Sequence, residues 1–89
     1  MLEVQNAYYP TMKGLIVAVV LGNDKVERVT KAIRTMMARY GMGRETLEQA
    51  FAEVDTETVQ PFLAKAPSSP FYQPQRLERF TALKSALLS

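Results

Sequence analysis

The sequence predicts an all-α fold, a compact array of four to five short helices in a single small helical domain over residues 1–89. Three observations lead to it. Apolar residues recur at three- and four-residue spacing in several stretches. Gly and Pro stand between those stretches, where helices stop. Strand character is confined to the N-terminal third. The chain has 89 residues, too few to build a second core.

The run Leu15 to Leu21 is β-branched and apolar on all sides, and periodicity cannot separate a buried strand from a buried helix. In a helical reading, Pro10 sits at the start and Gly22 ends the element, which becomes the central, all-round hydrophobic member of the array. The alternative is an N-terminal β-hairpin followed by helices, pairing Leu2–Tyr8 with Leu15–Leu21 across the loop from Tyr9 to Gly14. A lone two-stranded sheet is only marginally stable, and the rest of the chain offers no further strand. Gly14, Ala18 and Gly22 fall at four-residue spacing, which in a helix permits close approach of a neighbour.

The next element is clearer. Asp24 can cap a helix over 25–40, and Glu27, three residues on, can complete a capping box. Val26, Val29, Ile33, Met36, Met37 and Tyr40 then share an arc of roughly 100°, while the charged residues fill the opposite side. Gly41 supplies the left-handed position that ends the helix. Met42, between two glycines, is expected to be exposed. A second amphipathic segment spans 44–54, with Leu47, Ala50, Phe51 and Val54 on one face and Glu45, Glu48 and Glu53 on the other. Glutamates near its start suit the helix dipole.

Asp55 and Thr56 interrupt that pattern. Thr58 is then a cap for a short helix through Lys65, with Pro61 tolerated in its first turn. Residues 66–75 hold three prolines and predict a loop or extended strap. The last helix is predicted over 75–88, with Leu77, Phe80, Leu83, Leu87 and Leu88 inward and Lys84 snorkelling its charge past the apolar stripe.

Composition excludes more function than it proposes. The chain has no Cys, His or Trp, which removes disulfides, thiolate nucleophiles, Cys/His metal sites and the commonest near-neutral general base. The acidic residues cluster at Glu45, Glu48, Glu53, Asp55 and Glu57, mostly on a solvent face with nothing to desolvate them. Gly41-Met42-Gly43 follows a helix and lacks the further Gly and Lys of a phosphate-cradling loop. No catalytic residue, metal ligand or cofactor is therefore expected. The longest apolar run is shorter than the roughly 18 residues a membrane span requires, and the first residues lack the pattern of a secretory signal. No membrane partner is expected, and a cytoplasmic location is.

A net charge of +2 conceals a sharp division. Lys25, Arg28, Lys31, Arg34, Arg39 and Arg44 against Glu27 give +5 over residues 25–44. The five carboxylates of residues 45–57 give −5. Two helices around a Gly-containing turn invite comparison with a helix-turn-helix, but the second, acidic helix would be repelled by phosphates. The basic helix either binds an acidic partner or is a solvated face whose charges partly pair with the acidic helix beside it. Such exposed pairs contribute only about 0–1 kcal/mol each. Tyr8, Tyr9, Phe71 and Tyr72 lie beside prolines, outside the helical stripes. They either fold back onto the core or form an exposed anchor patch. Met12, Met36, Met37 and Met42 suit either an irregular core or an adaptable interface.

Binding surfaces are what remains. The expectation is a small non-enzymatic interaction protein, an adaptor, inhibitor or assembly factor, that binds a macromolecular partner and self-associates as a homo-oligomer. Self-association is expected because a short chain can hide a fully apolar segment only with difficulty. The alternative is a nucleic-acid-binding regulator acting through helix 25–40. The candidate partner-binding residues are Lys25, Arg28, Lys31, Arg34, Arg39, Phe71 and Tyr72.

Overall fold

In the computed structural model, which describes residues 11–65, 68, 70 and 72–89, the β-branched run is helix. Thr11 opens it, its hydroxyl accepting the Gly14 N–H at 2.9 Å, and α1 spans Met12–Val20. The others are α2 (Val26–Tyr40), α3 (Arg44–Val54), a π-turn (Asp55–Val59), α4 (Gln60–Lys65) and α5 (Gln75–Leu88). The fold is all-α, with no strand among the described residues. This overturns the hairpin, because its second strand is α1. Residues 1–10 lie outside the described residues, and with them Tyr8, Tyr9 and the proposed role of Pro10.

Burial decides the conformation of α1. Each Val or Ile gives up about 0.5 kcal/mol of helix propensity relative to Ala, whereas fully burying such a side chain contributes roughly 1.5–3 kcal/mol. Ile16 and Val19 are completely buried, and Met12, Leu15 and Val20 nearly so. They are covered from three sides, since α1 packs on α2, α3 and α5. The monomer thus hides most of the apolar run, and that motive for self-association falls away. The small-residue spacing does not mark a helix–helix approach at Gly14, which is exposed and faces its own cap, Thr11.

Two glycines close α1 and α2 in the same way. Gly22 has φ +82°, with the Gly22 N–H donating to Val19 O at 3.1 Å and the Asn23 N–H to Ala18 O at 2.8 Å. Those two bonds are a Schellman ending, which requires the left-handed residue. Gly41 has φ +64°, and the Met42 N–H donates to Met37 O at 2.9 Å. The motif turns Met42 back onto the core, where it is half-buried with Met37, and this corrects its expected exposure. Gly22 is doubly constrained, because an added Cβ would also stand 3.1 Å from the Arg79 guanidinium. Gly22→Ala is expected to cost about 1–2 kcal/mol, measured as a lowered urea midpoint at unchanged m-value, whereas Gly43→Ala meets open space and should cost less.

The start of α2 also differs from expectation. Lys25 occupies the N-cap position, no side chain caps the helix, and Asp24 is displaced by one residue from the capping role. Its carboxylate instead accepts the Lys25 N–H at 2.8 Å and Arg28 Nε at 2.9 Å. At the other end Tyr40, assigned to the apolar stripe, is 56% exposed, since it is the last residue of α2.

The predicted break after Val54 is absent. Residues 44–65 are continuously helical, and the Gln60 N–H donates to Asp55 O, five residues back. Thr58 therefore lies inside the rod and caps nothing. A proline within a helix lacks a donor and crowds the carbonyl four residues earlier. The wider turn immediately before Pro61 gives that carbonyl room. Val59 still faces the core.

α5 occupies the predicted span and buries Phe80 and Leu83, with Leu77, Leu87 and Leu88 partly covered. Phe80 meets Phe51 edge to face, ring centroids 5.7 Å apart at 66°. Lys84 reaches outward along that ring, its Nζ 5.8 Å from the Phe80 centroid. Helices α1 and α5 form the centre, and α2 and α3 flank them.

Candidate functional site

Packing of α2 on α1 and α5 fixes which of its cations face water. Val29 and Ile33 are buried against the core, and on a 3.6-residue helix this turns Arg28, Lys31, Thr35 and Arg39 onto the far side. All four are exposed. The stripe is about 16 Å long at 1.5 Å per residue. Lys25 is exposed at its N-terminal end. Arg28 pairs with Asp24 within its own turn. Among the described residues no ion pair engages Lys25, Lys31 or Arg39.

The acidic helix does not neutralise this face. α2 and α3 make little contact beyond the turn that joins them. The ion pairs among the described residues are Arg28–Asp24 and Arg44–Glu48, each within one helical turn, and Lys13–Glu57. The pairing of basic with acidic helix that the sequence allows is thus not what the fold builds. The two charged faces are presented separately.

Arg34 belongs elsewhere. Its Nη2 donates to Ala86 O at 2.9 Å, and Arg44 Nη2 donates to Leu88 O at 2.7 Å, so both serve the C-terminal carbonyls of α5. Arg79 treats α1 likewise, with Nε donating to Val19 O at 2.9 Å and Nη2 to Val20 O at 3.0 Å. A helix C-terminus presents unsatisfied carbonyls and partial negative charge, and a guanidinium answers both. Three of the six arginines are therefore structural staples.

The aromatic candidates separate. Phe71 lies outside the described residues. Tyr72 is half-buried and stacks on Phe62 of α4, centroids 5.2 Å apart at 19°. Arg76 holds its Cζ 5.0 Å from the Phe62 ring centre. These three line a cleft of about 360 Å³ together with Lys65 and Glu57. Phe62, Lys65 and Arg76 were not candidates on sequence grounds, because they come from two elements separated by the proline-rich stretch. Their one local signal is that Phe62 belongs to no long apolar stripe.

Two groups have displaced titrations. The Arg28 guanidinium, helped by the Lys25 N–H, holds the Asp24 carboxyl below its ordinary 3.8. A depressed carboxyl contributes stability above its unfolded pKa and loses it as pH falls through the folded value, so this turn should loosen only below about pH 3.8. A carbon-detected NMR titration should place the Asp24 midpoint below that of a model peptide, and Arg28→Ala should move it back. The Glu57 carboxylate, 2.7 Å from Lys13 Nζ, raises Lys13 above its ordinary 10.5. That contribution is present below 10.5 and disappears as pH climbs through the higher folded value.

Among the described residues no cluster of acidic side chains is arranged to hold a metal ion, and no helix is long and apolar enough to cross a membrane. Comparison with protein-family models, curated proteins and solved structures found no match to this chain.

Proposed function

We propose that the chain is a non-enzymatic interaction protein of the cytoplasm, an adaptor, inhibitor or assembly factor, that docks the basic face of α2 on an acidic protein surface. One observation carries the reading: Arg28, Lys31 and Arg39 share an exposed stripe that the acidic α3 leaves uncompensated. Clustered like charge raises the encounter rate with an opposite surface and orients the approach. A second copy of the chain offers such a surface, since Glu45, Glu48 and Glu53 are exposed on α3. In that case the homo-oligomer forms through α2 against α3, held by charge.

The test is a triple variant, Arg28→Ala, Lys31→Ala and Arg39→Ala. These side chains are exposed and Ala favours helix, so the melting temperature should move by only a few degrees. Capture of a protein partner, measured with and without nuclease, should be lost in the variant and weaken with salt. Light scattering on the purified chain distinguishes the self-associating form, which should dissociate in the variant and at high salt. Capture that nuclease abolishes would instead support the nucleic-acid alternative. Capture unchanged in the variant would remove α2 from the interface.

A further inference from the structure

We propose that the cleft beside α4 is a binding site for an oxyanion carried on a flat apolar group, the aryl phosphate or aryl carboxylate class. No residue of α2 lines this cleft, so the site stands independently of the proposed partner surface.

Four features of the cleft converge on that chemistry. Its volume, about 360 Å³, holds an aryl group with one anionic substituent. Its wall is the Phe62–Tyr72 stack, which offers apolar, flat contact area. Its charge is positive in effect. Lys65 and Arg76 line it, while the one carboxylate present, Glu57, is held by Lys13 at 2.7–2.8 Å. Finally, Arg76 Nε is buried and has no hydrogen-bond partner among the described residues. Buried polar groups are nearly always satisfied, and each exception asks for an explanation. The guanidinium fork matches carboxylate and phosphate oxygens through paired N–H donors. That guanidinium lies over the Phe62 ring, its Cζ 5.0 Å from the centroid, a contact that restrains the fork before a ligand arrives. An oxyanion in the cleft accepts from the Arg76 guanidinium, with Lys65 adding charge and the bound aryl group against the rings.

The experiment is a ¹⁵N–¹H NMR titration of the full chain with phenyl phosphate, benzoate, inorganic phosphate and benzyl alcohol. Both aryl anions should give saturable shifts centred on amides of 57–65 and 72–76. Inorganic phosphate, lacking the ring, and benzyl alcohol, lacking the charge, should each bind roughly tenfold more weakly or not at all. The tighter of the two aryl anions identifies whether phosphate or carboxylate is the preferred group. Arg76→Gln should lose roughly tenfold in affinity or more, and Arg76→Lys, which keeps the charge without the fork, should lose part of it. Phe62→Leu should bring the aryl anions down to the level of inorganic phosphate, and Lys84→Gln, a cation removed elsewhere, should change nothing. If Arg76→Gln does not fold, as judged by circular dichroism, Arg76→Lys and Phe62→Leu carry the test. The proposal is overturned if no saturable shift appears at millimolar ligand, if benzyl alcohol binds as well as the anions, or if neither Arg76 variant nor Phe62→Leu differs from the unaltered chain.

Discussion

Phe51→Ala is expected to remove a large share of the stability of this chain. Phe51 is 1% exposed and sits on α3 where that helix meets α1 and α5. Its ring meets Phe80 edge to face at 5.7 Å, a geometry that adds to the area term. Truncating a buried Phe to Ala costs about 3–5 kcal/mol, because transfer energy is lost and a cavity remains. A chain of 89 residues has a total stability of only about 4–13 kcal/mol. At the lower end the variant is unfolded at room temperature, and at the upper end its melting temperature falls by tens of degrees. Phe51→Leu keeps most of the volume and should cost clearly less. Thermal and urea unfolding followed by circular dichroism read both. A Phe51→Ala chain that melts within a few degrees of the unaltered one would mean that the α1–α3–α5 junction is not where the stability lies.

The central junction was legible in the sequence because its parts carry local signals. Leu47, Ala50, Phe51 and Val54 recur at helical spacing, and all four are buried. Gly41 marks the end of α2 by backbone conformation alone, and its φ of +64° requires no tertiary knowledge. Ambiguity or error arose where a distant element decides the outcome. For Leu15–Leu21 the choice between strand and helix rests on what covers the run, and the covering helices come from elsewhere in the chain. Asp55 and Thr56 break the apolar pattern without breaking the backbone, since a π-turn accommodates Pro61 at no cost to the burial of Val59. Tyr40 has the right wheel angle for the core, but sits at the very end of α2 and remains exposed.

The candidate surface divides along the same line. That Arg28, Lys31 and Arg39 share a face follows from helical periodicity, so their exposure was readable. That Arg34 does not act with them could not be read, because its partner, Ala86 O, is 52 residues away. Nor could the separation of basic and acidic faces, which depends on α1 and α5 standing between α2 and α3. The cleft is the extreme case. Lys13 reaches Glu57 across 44 residues, and Arg76 reaches Phe62 from the next helix along. Neither pairing leaves a periodic trace.

Arg79→Met is the second large effect, and it separates a structural arginine from a binding one. In composition Arg79 looks like the rest of the basic complement, yet it is partly buried and bonds both Val19 O and Val20 O. The Gly22 N–H also serves Val19 O, so losing the side chain falls hardest on Val20 O. Charge-assisted bonds of this kind contribute about 1.5–3 kcal/mol, and a cation at a helix C-terminus adds about 0.3–1 kcal/mol. Met preserves much of the aliphatic stem, so packing losses are limited. The expected cost is about 2–3 kcal/mol, seen as a lower urea midpoint together with faster amide exchange at Leu21, Gly22 and Asn23. Arg39→Met, an equal change of charge on the exposed stripe, should leave both measurements nearly unmoved and weaken partner binding instead. Equal stability losses from the two variants would show that Arg79 acts only through the general positive charge of the chain. A loss confined to Arg79→Met establishes that the end of α1 is held by this one side chain from α5.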